Sequence, residues 1–523
     1  MKSPQPFSSP HHIHISMHIR HLIITALALL CAAMPSTAKK GGHNYYIDPA
    51  TGNDAADGRS VKTAWRTLAP TKALMLQAGD SLLLRRGTIL HGLLEISAAG
   101  KPGRPAVISA YGNGAKPCIA ATDSSLYAIH ISNSDHLTLQ DLEVTNTGSQ
   151  RMANRTGIKV SCVDFGVSHG IVLRRLYVHD VNGSLIKQAG GGSGLLFVNG
   201  GRKTVSTFDG LLVEDCVIRR CERNGMIWSA YTDRSNWHPN RHVTVRRNLI
   251  EEVPGDGIVP IGCDSALIEY NLMRDCPGTL PHSEAAAGFW PWSCDNTTMQ
   301  FNEVSDHKAP WDAQGFDADY NCRNTTIRYN YSHDNDGGMV LICNSGTAPG
   351  AGNQGTRVAY NVSINDAIRP RATRSGIFSP SIHIAGPCHD TEIFRNIIHA
   401  NPKSEPFIDR SLLTSDSWDG YADATTFREN VFYAPEQTEI RLHHSTGNVF
   451  DGNYYLGFFK TRPVDTHGHN TSSYYASIIA SDPSGRRSLD FLFDKHVVGD
   501  GTAILRAVNP ETITDFFEHM KAH

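Results

Sequence analysis

The chain has 523 residues, a formal net charge of -3, 26 histidines and only 19% charged residues. That balance leaves no basic excess for a nucleic-acid partner, and no charge run suggests a groove for a polyanion. Length alone would allow several domains, but repeats spread over most of the sequence argue for one solenoid with a long apolar interior.

Residues 1–38 read as an export signal, with Met17 as an alternative start. The apolar run LIITALALLCAAM follows His18, Arg20 and His21, and Ser36, Thr37 and Ala38 offer a small-residue cleavage site. The run is too short for a membrane span. The expected location is the periplasm, the cell surface or the extracellular space. Export permits disulfides. Yet the ten cysteines after Cys31 form no CxxC pair and lie mostly at strand ends or in apolar runs, so they read as small core residues.

Residues 44–122 make an opening segment that holds an N-terminal cap and the first coils. Within it, TLAPTKALMLQAG predicts a short amphipathic helix capping the solenoid, whose open end would otherwise expose unpaired strand edges. From about 123 to 456 a pattern recurs around Asn248, Asn271, Asn302, Asn330, Asn361, Asn396, Asn430 and Asn453, at steps of 23, 31, 28, 31, 35, 34 and 23 residues. Leu142, Leu176 and Cys216 hold the same place in earlier copies. Segments such as VTVRRNLIEEV and EIFRNIIHA are short, β-branched and close to period two, and they end in Gly, Asn and Asp turns. Irregular steps of this size predict stacked coils of a parallel β-helix. A buried Asn in each coil can stack on the next and satisfy turn backbone groups. Residues 457–523 read as a closing segment ending in a helix, with Asn509 as N-cap and Pro510 at its first position.

The opening motif is distinctive: Tyr46, Asp48, Pro49, Gly52, Asn53, Asp54, Asp57, Gly58, Trp65, Thr67, Leu68, Gly79 and Asp80. On these residues the chain resembles secreted right-handed parallel β-helix proteins of the pectin-lyase-like superfamily, with Ala78 where those proteins usually carry Pro. The resemblance spans nearly all of the mature chain. It implies an all-β fold, a single-stranded right-handed parallel β-helix solenoid with an N-terminal capping helix. It does not imply one reaction, because this superfold hosts lyases, hydrolases and non-enzymes.

The reaction must be read from the outward face. The coils align on a Gly that opens a strand: Gly194, Gly225, Gly257, Gly288, Gly315, Gly338 and Gly376. The next residue is apolar and faces the core, so the one after it faces out. Trp290 and Trp292, then Asp317 and Asp319, stand out at those positions. Two carboxylates at i and i+2 have Cα atoms roughly 6.5–7 Å apart on one face, a reach that suits glycosidic acid and base or nucleophile pairs. Mutual repulsion raises the pKa of one of them, as a general acid requires. Turns preceding these strands carry Asp256, His282, Glu284, His307, Lys308, Asp312, His333, Asp334, Asp336, Arg369, Arg371 and Arg374. Any one of them alone reads as a solvated turn residue. Together, over five coils, they are expected to converge at one sheet edge, with Glu284 and Asp312 as further catalytic candidates and the others contacting substrate.

Carboxylates and tryptophans favour a glycoside hydrolase acting on a polysaccharide or oligosaccharide with no required cofactor. One alternative is a polysaccharide lyase, with Lys308 or Arg369 as base and Ca²⁺ held by Asp312, Asp317 and Asp319. The other is a glycan-binding protein without catalysis.

Overall fold

The computed structural model describes residues 41–345, 352–370, 379–400 and 411–469. Its named strands pair in parallel, each with its counterpart one coil on. One sheet runs from Asn44–Ile47 through Thr244–Arg246, Leu267–Glu269 and Thr298–Gln300 to Val449–Asp451. A second runs from Ile89–His91 through Leu249–Glu251, Leu272–Arg274 and Glu303–Ser305 to Tyr454–Thr461. A third carries Ser193–Gly200, Asn224–Ser229, Ile258–Val259, Phe316–Ala318, Val340–Cys343 and Ile382–Ala385, with Phe289 bridging Ile258 and Phe316. Its inward row, from Leu195, Met226 and Ile258 to Phe289, Phe316 and Val340, is fully buried.

The predicted asparagine ladder holds the corner between the first two sheets. Asn271 shows the pattern: its Nδ2 donates to Val245 O at 3.0 Å and to Asn302 Oδ1 at 3.0 Å, while its Oδ1 accepts from Asn248 N and Nδ2. The same links continue to Asn453. A left-handed residue precedes each Asn. At Tyr270, Phe301, Tyr329 and Tyr360, φ is 55, 55, 54 and 57°, a conformation costing about 1–2 kcal/mol for a residue with a Cβ. Ring stacking between coils, with centroids 5.0, 5.3 and 5.0 Å apart, offsets that cost. The ten cysteines of the described residues are free and buried, as small core residues should be.

Two expectations need correction. The capping segment is not an α-helix. A five-residue 3-10 helix, Ala69–Ala73, leads into the strand Met75–Gln77. Leu76 is buried between exposed neighbours and pairs with Ala98, so alternation prevails over the helical pattern. The glycine alignment also slips. Val340, not Met339, pairs with Phe316, and the next strand is Ile382–Ala385 rather than one opened by Gly376. Gly376, Arg371, Arg374, the export signal at 1–38 and the terminal helix lie outside the described residues.

Candidate active site

The long turns between the second and third sheets meet the outward face of the third. Register places Trp290, Asp317, Leu341 and His383 in one outward row, with Trp292, Asp319 and Cys343 two residues further on. The aspartates differ in environment. Asp317 is only 4% exposed, and its Oδ1 has no hydrogen-bond partner among the described residues. Burial, then the charges of Asp312 and Asp319, push its pKa well above the usual carboxylate range. Asp319 is partly exposed, and its Oδ1 accepts from Tyr320 N at 2.6 Å and Cys343 Sγ at 3.1 Å. Burial raises it, and those two hydrogen bonds oppose the rise by favouring the anion.

Asp312 arrives from the turn before the strand. It and Ala313 are consecutive left-handed residues, φ 59 and 62°, the kind of strain that persists only where surrounding contacts enforce it. Arg369 enforces it here, donating to Ala309 O at 2.7 Å and Asp312 O at 2.6 Å. Burial, then the charge of Asp319, carry the Asp312 carboxyl up to about 7, against the opposing charges of Arg369 and Lys187.

Several residues expected to contact substrate, and the catalytic candidate Glu284, are buried. Asp256 is fully buried, and its Oδ1 accepts from Trp290 Nε1 at 3.0 Å and Ala287 N at 3.1 Å. Trp290 is 5% exposed with Lys187 Nζ 4.6 Å from its ring centroid, so it is no open platform for a sugar. His307 is fully buried, and its Nε2 lies 2.9 Å from Gly255 O. Burial holds its pKa down to about 4, so the ring is neutral at pH 7 and that nitrogen donates. Glu284 accepts from Lys187 N at 2.9 Å and lies 3.5 Å from the fully buried Arg223.

His333, Lys308 and Asp336 sit at the start of the turns, beside the second sheet. His333 stands between Asp334 at 2.7 Å and Glu303 at 3.3 Å; burial lowers its pKa, but those hydrogen bonds carry it to about 9. Lys308 Nζ lies 3.6 Å from Asp336 and donates to Asp334 O at 2.6 Å. His282 is exposed. Among the described residues, no three His, Cys, Asp or Glu side chains are grouped as metal ligands.

A pocket opens beside Asp312, lined by Trp311, Gln314, Arg369, Ser379, His383 and Trp418. Trp418 packs edge-on against His383 and Tyr320, with centroids 5.8 and 6.3 Å away. Sequence reasoning missed Lys187, Arg223, Gln314, His383 and Trp418. Lys187, Arg223, Gln314 and Trp418 lie in turns without a repeat signal, and His383 sits in the outward row of the strand Ile382–Ala385, which the alignment on Gly376 does not reach; only Trp311, beside Asp312, carried a local hint.

A family model described as a right-handed β-helix region matches residues 204–404. The fold is a right-handed parallel β-helix. A lacto-N-biosidase from Bifidobacterium longum subsp. longum is 26% identical over 546 aligned positions, covering 83% of this chain and 32% of that protein. An α-1,3-galactosidase A from Akkermansia muciniphila is 39% identical over 51 residues, 10% of this chain and 9% of that one. The chain thus spans about a third of the first relative and a tenth of the second. The crystal structure of a GH136 lacto-N-biosidase from Eubacterium ramulus superposes with a TM-score of 0.54 at 24% identity, covering 72% of this chain and 66% of that one. No helix among the described residues is long and apolar enough to cross a membrane.

Proposed function

We propose that the protein is a glycoside hydrolase acting on an oligosaccharide, with Asp312 as general acid and Asp319 as the carboxylate that attacks the sugar or activates water. The observation carrying this reading is the unlike treatment of two partly exposed aspartates, Asp312 in the turn and Asp319 on the outward face. Burial pushes both carboxyls up, Asp312 to about 7, while at Asp319 two hydrogen bonds to one oxygen oppose the rise by favouring the anion. A pair of carboxyl groups with separated proton affinities is what glycosidic cleavage requires. In the proposed step, Asp312 protonates the leaving-group oxygen as its bond to the anomeric carbon breaks. The electron pair leaves with that oxygen, and Asp319 meets the positive charge developing on the sugar. Arg369 fixes the Asp312 turn, and Trp311 and Trp418 line a small cleft beside Asp312 and offer ring faces to a sugar bound over it.

The relative's name, lacto-N-biosidase, supports an oligosaccharide as substrate. The lyase alternative lacks support from its two candidate bases. Lys308 is engaged with Asp336 and Asp334 O, and both terminal nitrogens of Arg369 are committed to backbone carbonyls. The apolar run near the N-terminus supports action outside the cytoplasm. The test is incubation with aryl glycosides of lacto-N-biose and a panel of oligosaccharides and uronate polymers, following reducing ends and ultraviolet absorbance together. New reducing ends without absorbance support hydrolysis. Absorbance from an unsaturated uronate would replace this reading with the lyase, and affinity without cleavage would replace it with glycan binding.

A further inference from the structure

Lys187 comes from far away in the coil order. It opens the 3-10 helix Lys187–Ala189 in the turn before the third-sheet strand Ser193–Gly200. Four steps along that sheet, through Asn224, Ile258 and Phe289, separate that strand from Phe316–Ala318, about 19 Å at the usual strand spacing. The turn is nonetheless docked on the site. Leu185 packs against Leu280, Ala286, Ala309 and Ala313, the last adjoining Asp312. The backbone N–H of Lys187 donates to Glu284 Oε2 at 2.9 Å, and Arg223, fully buried, stands 3.5 Å from that carboxylate and 3.6 Å from Asp256. Asp256 in turn fixes the indole of Trp290, the ring over which the Lys187 ammonium sits. One buried guanidinium therefore ties together the turn that carries the cation and the ring that receives it.

We propose that Lys187 is a positioning residue of the catalytic pair, held over Trp290 by the Arg223, Glu284 and Asp256 network so that its charge faces Asp312 and Asp319. This rests on the hydrolase reading above. Its charge acts on both carboxyls and lowers the proton affinity of each. The other groups facing the pair are Asp256, which favours protonation of both, Arg369, which opposes it at Asp312, and Cys343 and the Tyr320 N–H, which hydrogen-bond Asp319 and oppose it there, while Asp317 holds its own proton. His307 is neutral at pH 7. Glu284 accepts from the Lys187 N–H and faces Arg223. Without Lys187 both carboxyls would hold their protons to higher pH.

The test is Lys187→Met in the full chain, with kcat/KM followed against pH. Because Lys187 is exposed, both limbs should move upward by only about half a pH unit at low salt, a roughly threefold rate change on either limb, and the displacement should shrink in 1 M salt. Lys187→Arg should return both limbs to their places. Glu284→Ala should reproduce the displacement, and adding it to Lys187→Met should add nothing. Carbodiimide labelling of Asp312 and Asp319 against pH, read by peptide mass spectrometry, follows the same protons without turnover. An unmoved labelling curve in Lys187→Met overturns the proposal, as does a lower rate with unmoved limbs. If the parent cleaves nothing in the panel while the labelling curve still moves, the hydrolase reading fails and the role of Lys187 in setting these carboxyls stands.

Discussion

Asp312→Asn should disable the enzyme and stabilise the fold, because one cause underlies both effects. The Asp312 carboxyl moves from an ordinary 3.8 to about 7 in the folded chain. At about 1.4 kcal/mol for each pH unit, the full shift corresponds to about 4 kcal/mol. The charge of Asp319 is the second contributor, and protons shared within the group reduce what a single substitution recovers to about 2 kcal/mol. The sign follows from linkage. The folded state binds the proton more tightly than the unfolded chain, so ionisation costs nothing below about pH 3.8. The cost grows as pH rises toward 7, and is complete above it. Asparagine cannot ionise. The variant should therefore be more stable than the parent at pH 8, by about 2 kcal/mol, and equal to it at pH 3.5. Loss of the general acid should lower kcat by about 10²–10⁴-fold. Urea midpoints for both proteins at the two pH values, with kcat/KM on a cleaved glycoside, provide the assay. An equal or lower midpoint at pH 8 would refute the buried-carboxyl argument, and retained activity would refute the assignment of the acid.

Asn302→Ala removes the acceptor of Asn271 N and Nδ2 and the donor to Ile268 O and Asn330 Oδ1. Stranding these buried groups should cost about 4 kcal/mol in urea unfolding, with the asparagine rung as the only local loss. His333 is raised to about 9, so the stability it contributes is complete below its unfolded value near 6.5 and is lost as pH rises through 9. His333→Gln should flatten the melting temperature across that window, and a parallel decline in the variant would count against the Glu303 and Asp334 pairing. Trp418→Ala should raise KM up to about tenfold while leaving kcat nearly unchanged, since it removes ring contact and no proton transfer. A fall in kcat alone would place Trp418 closer to the reacting atoms than its edge contacts with His383 and Tyr320 indicate.

The sequence by itself determined the coils. The asparagine spacing, the period-two segments and the turn residues are local signals, and a stacked solenoid turns each local signal into the same contact one coil further on. That is why Asn248 to Asn453 form the ladder their spacing predicts, and why Phe289 and Phe316 face the core. It also brought Asp312, Asp317 and Asp319 to notice as a group. Tertiary structure alone decided which of these faces solvent, which binds its proton more tightly, and that Asp256, His307 and Trp290 are buried. It also brought Arg223 to Glu284 across 61 residues and Trp418 over His383. The physical reason is that exposure and proton affinity depend on desolvation by neighbours on other coils. The turns that supply those neighbours vary in length and carry no period, so nothing in one turn records which distant turn will fold against it.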